Sequence, residues 1–303
     1  MKKTERLGAY VSLCASMLIF GSIGIFRKYL PVPSGFLALS RAVIGALFLG
    51  IFIFIFKKSF SMQTVRRNLL KLCISGALLG INWILLFEAY EHTSVSVATL
   101  CYYMAPVFII IVSPFILKER LTLKKAICAA GSLFGMVLVS GVITGGLPEG
   151  ENFTGIMLGL ASAVFYASVV IMNKKLFELS PYDKTFVQLA AAAVVMIPYV
   201  IFAEDVSSVD FNITTVVMLA VVGVIHTGIA YALYFGALRV TSAQSAALCS
   251  YIDPASALVL SAVILEERLD VYGMIGAALI LAFAALGELS FKKKGFAKEG
   301  TDE

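Results

Sequence analysis

Long apolar runs, interrupted only briefly by polar residues, make up most of the chain. A helix of about 20 apolar residues crosses the ~30 Å hydrocarbon core of a bilayer, so each run is long enough for one span. The pattern predicts ten membrane-spanning helices, with longer loops only at 57–68 and 145–152. The predicted spans cover residues 8–29, 34–56, 69–90, 94–117, 122–143, 153–174, 184–203, 212–236, 241–265 and 270–290.

One stretch of the chain occurs twice, at a fixed offset of 148 residues. Residues 100–121 and 248–269 share ten of 22 positions, several of them polar, and both end in Ile-Leu-x-Glu-Arg-Leu. Two apolar runs do not match in this way through composition alone. A period this long indicates two similar domains rather than a solenoid. We predict a first five-helix repeat at 8–143 and a second at 153–290.

Lysine and arginine are distributed unevenly over the predicted loops. With the N-terminus in the cytoplasm, 20 of the 24 basic residues fall on the cytoplasmic side and three outside, while Arg41 lies within a span. This excess predicts that both termini are cytoplasmic. Because each repeat has an odd number of spans, the two repeats must cross the membrane in opposite orientations. Inverted repeats are typical of secondary transporters, which hold their substrate near the midplane.

Composition excludes several other classes of protein. Hydrophobic residues make up 60% of the chain and the mean hydropathy is +0.93, so lipid rather than water is the expected solvent. The net charge of +5 comes from short loops and indicates no nucleic-acid partner. The five cysteines lie in apolar runs without a CxxC pair, so we expect neither disulfides nor a metal site. The sequence has no phosphate-binding loop and no catalytic motif, and we expect no cofactor and no enzyme.

Each five-span unit has a proline-containing fourth span that ends in Leu-x-Glu-Arg-Leu, and this arrangement resembles the EamA family of the drug/metabolite transporter superfamily. The resemblance covers residues 8–140 and 155–288. It implies export of amino acids, other small metabolites or drugs from bacterial cells. It also implies a central cavity lined by spans 1–4 and 6–9, with spans 5 and 10 at the periphery.

Ionisable residues inside the spans are the first candidates for a site, because a charge at mid-span costs at least ~2.5 kcal/mol to insert. Asp253 lies near the middle of span 9, where it can bind a substrate amine or a proton, or serve as a structural carboxyl. Arg41 and Glu88 lie in the outer halves of their spans and are expected to form a mutual ion pair, either a gate or a structural contact. His226, central in span 8, is a proton relay or a satisfied core histidine.

Neutral residues complete the predicted site. Asn82 is central in span 3, and Pro106 and Pro254 break spans 4 and 9, which frees a carbonyl that a cavity can satisfy. The repeat places Ala105 opposite Asp253, so the duplicated fold does not itself require an acid there. The aromatic and amide side chains that are candidates to line the cavity are Tyr102, Tyr103, Tyr166, Tyr231, Tyr234, Tyr251, Trp83 and Gln244.

The sequence favours a secondary transporter of the bacterial inner membrane that exports amino acids or related small metabolites by alternating access. Its expected partners are the lipid bilayer and a small-molecule substrate that can carry an amine, with proton coupling as an option. A multidrug exporter of the same fold is the alternative. An intramembrane enzyme that uses Asp253 and His226 is disfavoured, because no second carboxylate or metal cluster accompanies them.

Overall fold

The computed structural model describes residues 3–56, 60–93, 98, 101–139, 143, 152–176, 178–264 and 271–288. These residues are almost entirely helical, and no strand occurs among them. The α-helices are α1 Lys3–Tyr29, α2 Ser34–Ile55, α3 Met62–His92, α4 Ala105–Ile116, α5 Leu123–Val139, α6 Asn152–Lys175, α7 Pro181–Ala203, α8 Ile213–Gly223, α9 Ala230–Ala237, α10 Ala243–Ser250, α11 Ile252–Ile264 and α12 Val271–Glu288.

Six stretches of helix in the described residues are long and apolar enough to cross a membrane. They are Glu5–Ile23, Ser34–Ile55, Met62–His92, Phe153–Lys175, Pro181–Ala203 and Ile213–Ala237, and shorter apolar helices cover Ala105–Ile116 and Val271–Phe283. Together these helices confirm the predicted all-α membrane fold of ten spans in two inverted five-helix repeats. The predicted loop at 145–152 and the repeated Glu-Arg-Leu at 267–269 lie outside the described residues, except for Asn152.

The third span is longer than hydropathy predicts. The helix begins at Met62, inside the predicted loop 57–68, and continues to His92. Its first turns carry polar residues, but Val65 and Leu72 are buried in a small apolar cluster with Leu176 and Leu179. This packing stabilises the helix beyond the apolar stretch, and a scan for continuous apolar residues therefore places its start too late.

The two repeats pack against each other crosswise. Helix α3 packs on α6 and α7, the eighth span packs on α1 and α2, and α5 packs on α12. Glycines allow the closest approaches. A Cβ atom at Gly76 of α3 would lie 2.4 Å from the backbone oxygen of Gln188 in α7, and one at Gly223 would lie 2.4 Å from the Cβ of Ile44 in α2. Larger side chains would push these helix pairs apart.

The fourth and ninth spans are broken at equivalent positions. A turn at Tyr103 and Met104 precedes α4, and a turn at Tyr251 separates α10 from α11. Pro106 and Pro254 follow these turns. Proline has no N–H, so neither ring can donate to the carbonyl four residues earlier. Those carbonyls belong to Tyr102 and Ser250, and both residues line the cavity described below.

The eighth span contains a feature that hydropathy does not predict. Between α8 and α9, residues Val224–Ile229 form a π-helical turn, here called the π segment. The Thr227 hydroxyl donates to the carbonyl oxygen of Val222, five residues earlier, at 3.1 Å. Single π turns inside α-helices are frequent at functional sites. Here the turn presents Thr227 to α2.

Charge separates the two ends of the helix bundle. Lys71, Lys125, Lys174 and Arg239 lie at one end, which we call the basic face, and it corresponds to the predicted cytoplasmic side. The opposite end, called the acidic face, carries Glu88, Glu91, Glu204, Asp205 and Asp210.

Candidate functional site

A cavity of about 570 Å³ lies between the two repeats. Its volume is within the ~300–1,000 Å³ range of small-molecule sites. Ser34, Tyr90 and Glu91, which line one end, belong to the helix ends at the acidic face, whereas Asp253 lies deeper in the bundle. The described lining comes from spans 1, 2, 3, 4, 6, 8 and 9, and spans 5 and 10 contribute none of it.

Arg41 of α2 provides the positive charge of the cavity. Its Nε donates to the Thr227 hydroxyl of the π segment at 3.1 Å, and its guanidinium carbon lies 4.9 Å from the centre of the Trp83 ring. Both contacts leave the terminal guanidinium nitrogens available, since no described carboxylate pairs with them. Arginine in such a setting can bind a carboxylate through two parallel hydrogen bonds.

Asp253 provides a negative charge in the same cavity. It lies in the first turn of α11, directly after the break at Tyr251 and before Pro254. The Tyr103 side chain is a near neighbour of its carboxyl group. Asp253 and Arg41 do not pair with each other, so the cavity keeps two opposite charges available for a ligand. Ala105, the repeat counterpart of Asp253, also lines the cavity but carries no charge.

Aromatic rings form much of the cavity wall. The Tyr231 ring packs against Phe20 at a centroid distance of 4.9 Å and against Trp83 at 6.0 Å. On another side, Tyr102 packs against Tyr103 at 5.6 Å and Tyr166 at 5.7 Å. Such rings attract cations over their faces and apolar groups along their edges. The wall therefore suits the ammonium and the side chain of a small organic ion.

The predicted ion pair between Arg41 and Glu88 is not formed. Glu88 instead accepts a hydrogen bond from the Tyr199 hydroxyl of α7. Trp83, five residues earlier on α3, faces Arg41. Five residues along an α-helix correspond to about 140° of rotation, so the two faces of α3 meet different partners. Similar depth in the membrane therefore does not bring Arg41 and Glu88 together.

Two polar residues near the middle of their spans form contacts between helices and do not line the cavity. Asn82 is fully buried, and its amide donates to the carbonyl and hydroxyl oxygens of Ser162, each at 2.8 Å. This contact joins α3 to α6. The His226 Nε2 lies 2.9 Å from the Ser22 hydroxyl, and the ring packs edge-on against Phe26. Neither Asn82 nor His226 is among the cavity-lining residues.

Three further predicted residues, and Pro254, lie outside the cavity lining. One of them, Tyr234, is fully buried and packs against Phe235 at a centroid distance of 5.5 Å. The Gln244 amide donates to the Ser113 hydroxyl at 2.9 Å, near the basic face. Tyr251 is fully buried in a cluster with Met136 and Ile280, on the side of α5 and α12. Its repeat counterpart Tyr103 does line the cavity, so the two copies of this tyrosine lie in different environments.

Several lining residues were absent from the predicted site. Tyr90 and Glu91 lie at the end of α3, where tyrosines and acids also occur as ordinary interface residues. Ser250 precedes the break in the ninth span. The proline four residues after Ser250 is the sequence signal that could have identified it, since its carbonyl loses a helical partner.

Polar contacts lie on the basic side of the cavity, one between the two repeats and one within the second repeat. The Glu119 carboxylate, after α4, accepts from the backbone N–H groups of Ala243 and Gln244 at 2.8 and 3.2 Å. The Lys174 ammonium donates to the carbonyl oxygen of Leu238 at 2.9 Å and to that of Thr241. The cavity lining therefore reaches the acidic face, and these contacts join helices at the basic face.

Comparison with known proteins identifies the family. The model of the EamA-like transporter family matches residues 7–141 and 153–286. The uncharacterized transporter YxxF of Bacillus subtilis (strain 168) is 31% identical, with 98% of this chain and 95% of that protein covered. An uncharacterized transporter of Archaeoglobus fulgidus is 28% identical over 71% of this chain and 74% of its own length. A crystal structure at 19% identity shares the fold, with a TM-score of 0.82 over 93% of this chain and 98% of that chain.

Proposed function

Because this chain belongs to the EamA-like transporter family, we propose that it exports amino acids or related small zwitterions across the bacterial plasma membrane. The observation that supports this substrate class is the presence of two opposite charges, Arg41 and Asp253, in one aromatic cavity. A zwitterion can satisfy both charges at once. If a ligand paired with only one of the two charges, the other would stay buried without a partner. The desolvation cost of that unpaired charge would then weaken binding.

Arg41 would bind the substrate carboxylate, and Asp253 would bind the ammonium. The stack on Trp83 and the bond to Thr227 hold the guanidinium in place, which lowers the ordering cost of binding. A purely cationic drug would meet Asp253 favourably but would also face the Arg41 charge. The cavity therefore supports the zwitterion over the multidrug alternative.

The transport cycle would use the inverted repeats. The arrangement described above, with a cavity that reaches the acidic face, corresponds to an outward-facing state if that face is periplasmic. If the two repeats exchanged conformations, the acidic face would close and the basic face would open. Asp253 would alternate between a substrate ammonium and a proton, which supplies a route for proton coupling.

Counterflow in proteoliposomes tests the substrate class. Liposomes that hold the purified protein are preloaded with single unlabelled amino acids, with decarboxylated amines, or with lipophilic cations, and uptake of each labelled compound is followed. We expect accumulation for one or more zwitterions and none for their decarboxylated analogues. Accumulation of lipophilic cations alone would support the multidrug alternative, and conversion of a compound to a new product would indicate an enzyme.

We also predict the orientation of the chain. Reporter fusions after Lys124 and Lys293 should behave as cytoplasmic, and a fusion after Glu149 as periplasmic, because 20 of the 24 basic residues lie on one side. Paired reporters that are active on opposite sides of the membrane provide the measurement and its control. A periplasmic signal after Lys293 would contradict both the ten-span topology and the inversion of the repeats.

A further inference from the structure

A buried lysine lies near the basic face, outside the cavity. Lys184 is in the first turn of α7, and its side chain is 0% exposed. Its ammonium donates to the carbonyl oxygen of Asn173 at 3.4 Å and lies 5.6 Å from the centre of the Phe235 ring. An ammonium has three N–H donors, and this position gives it one long hydrogen bond. Lysine is almost never fully buried unless it is paired.

The charged groups around Lys184 do not neutralise it. Its charged neighbours are Lys174 at the end of α6 and Arg239 after α9, and both are cations. Asp183 precedes it on α7, but that carboxylate accepts from the backbone N–H of Ser61 at 3.3 Å. Helix α3 presents the neutral Ser75 to this region. In the described part of the chain, Lys184 has no acidic partner.

The surroundings of Lys184 contain hydrogen-bond acceptors that are not used. The Ser75 hydroxyl accepts from the amides of Gln188, at 2.6 Å, and Asn173, at 3.5 Å. The Oδ1 of Asn173 and the Oε1 of Gln188 are buried and have no partner among the described residues. Asn173 contacts Lys184 through its carbonyl, and Gln188 lies one turn further along α7. A small rearrangement would let these oxygens accept from a protonated amine.

The position of this cluster connects it to the closure of the basic face. Lys174, a charged neighbour of Lys184, donates to the carbonyl oxygen of Thr241. Thr241 lies two residues before Ala243, whose backbone N–H donates to Glu119 of the first repeat. A charged Lys184 would repel Lys174 and Arg239 across this junction. It would also bury an ammonium without a counter-ion, which is strongly unfavourable.

We propose that Lys184 is a proton-binding site that controls the opening of the basic face. While that face is closed, as here, the side chain is a neutral amine. When water reaches it, the amine takes up one proton from the solvent and becomes an ammonium, and the open arrangement is stabilised. The proton must leave again to the same side before the face closes. This site is separate from Asp253 and does not depend on the identity of the transported compound.

Accessibility of a cysteine at the basic face tests the proposal without a substrate. Ala243 is buried there, so Ala243→Cys is introduced after the five native cysteines have been replaced, and a membrane-impermeant maleimide is added from the basic side. The labelling rate is divided by that of Arg120→Cys, an exposed position near the same face, to remove the pH dependence of the thiol itself. We expect this ratio to rise at least about fivefold from about pH 8 to about pH 6, since one titrating group can shift populations up to about tenfold per pH unit.

Variants of Lys184 decide whether this residue is the group that titrates. Lys184→Met removes the amine and should keep the labelling ratio low at every pH. The protein should still fold, because an apolar side chain is well tolerated at a buried position. Lys175→Met, which removes an exposed ammonium at the end of α6, should keep the full pH response. A pH response in Lys184→Met equal to that of the parent, or no response in the parent, would overturn the proposal. Neither result would bear on the zwitterion site.

Discussion

Asp253→Asn should lower the rate of zwitterion transport by at least about 30-fold while the protein still folds. The substitution keeps the size of the side chain but removes the charge that binds the substrate ammonium. Loss of one partner of a buried charge pair costs about 2–5 kcal/mol, and each 1.4 kcal/mol corresponds to a factor of ten. Because Asn cannot take up a proton, the remaining transport should also lose the part of its pH dependence that comes from Asp253.

The measurement is counterflow at several pH values, in liposomes whose content of folded protein has been checked by size-exclusion chromatography. Asp210→Asn is the matched control, because it makes the same chemical change in an exposed position at the acidic face. Wild-type rates and an unchanged pH profile in Asp253→Asn would show that Asp253 is a structural carboxyl. The site would then have to be sought elsewhere along the cavity wall.

Arg41→Gln should weaken the transport of a zwitterion about 100-fold and change which compounds are carried. Without the guanidinium, the substrate carboxylate has no cationic partner. The transport rate of the decarboxylated amine should therefore rise relative to that of the parent amino acid. Arg41→Lys keeps the charge but loses the planar stack on Trp83 and the paired hydrogen bonds, and it should restore only part of the rate. Transport rates for one amino acid and its amine provide the measurement. An unchanged ratio between the two compounds would show that Arg41 does not contact the carboxylate.

Glu88 provides a control within the same experiment. Glu88 bonds to Tyr199, and Arg41 bonds to Thr227, so the two residues share no partner. The effects of Arg41→Gln and Glu88→Gln on stability should therefore add. If Glu88→Gln instead restored stability to the Arg41→Gln protein, the two side chains would form an ion pair in solution.

Hydropathy predicts the depth of a residue in the membrane but not the direction in which its side chain points. The predicted spans overlap the described helices, although α3 begins earlier and two spans are broken, because a helix in contact with lipid is apolar there. Asn82 and Trp83 are neighbours at the same depth, yet about 100° of rotation separates them on the helix. Trp83 therefore faces the cavity and Asn82 faces Ser162 on α6. Tyr251 was predicted to line the cavity from its depth and residue type, and so was Gln244. Both side chains point away from the cavity for the same reason.

Charge statistics also have a limit, which Lys184 illustrates. The count of basic residues treats it as one more charge on the predicted cytoplasmic side. The structure buries it under contacts from α3, α6 and the eighth span, elements that are far apart in sequence. A local pattern cannot show which positive charges remain in water, because burial depends on partners that the fold brings in from elsewhere.

The π segment also records how the two repeats have diverged. Gly76 and Gly80 of the first repeat have three residues between them, whereas their counterparts Gly223 and Gly228 have four. The first glycine of each pair lies at a close helix approach, so the pairs are equivalent in packing as well as in sequence. The second repeat therefore has one residue more between these glycines than the first, and a π turn holds one residue more than an α turn. The π segment places Thr227 against Arg41, so the contact that holds the arginine of the cavity lies where the two repeats differ in length.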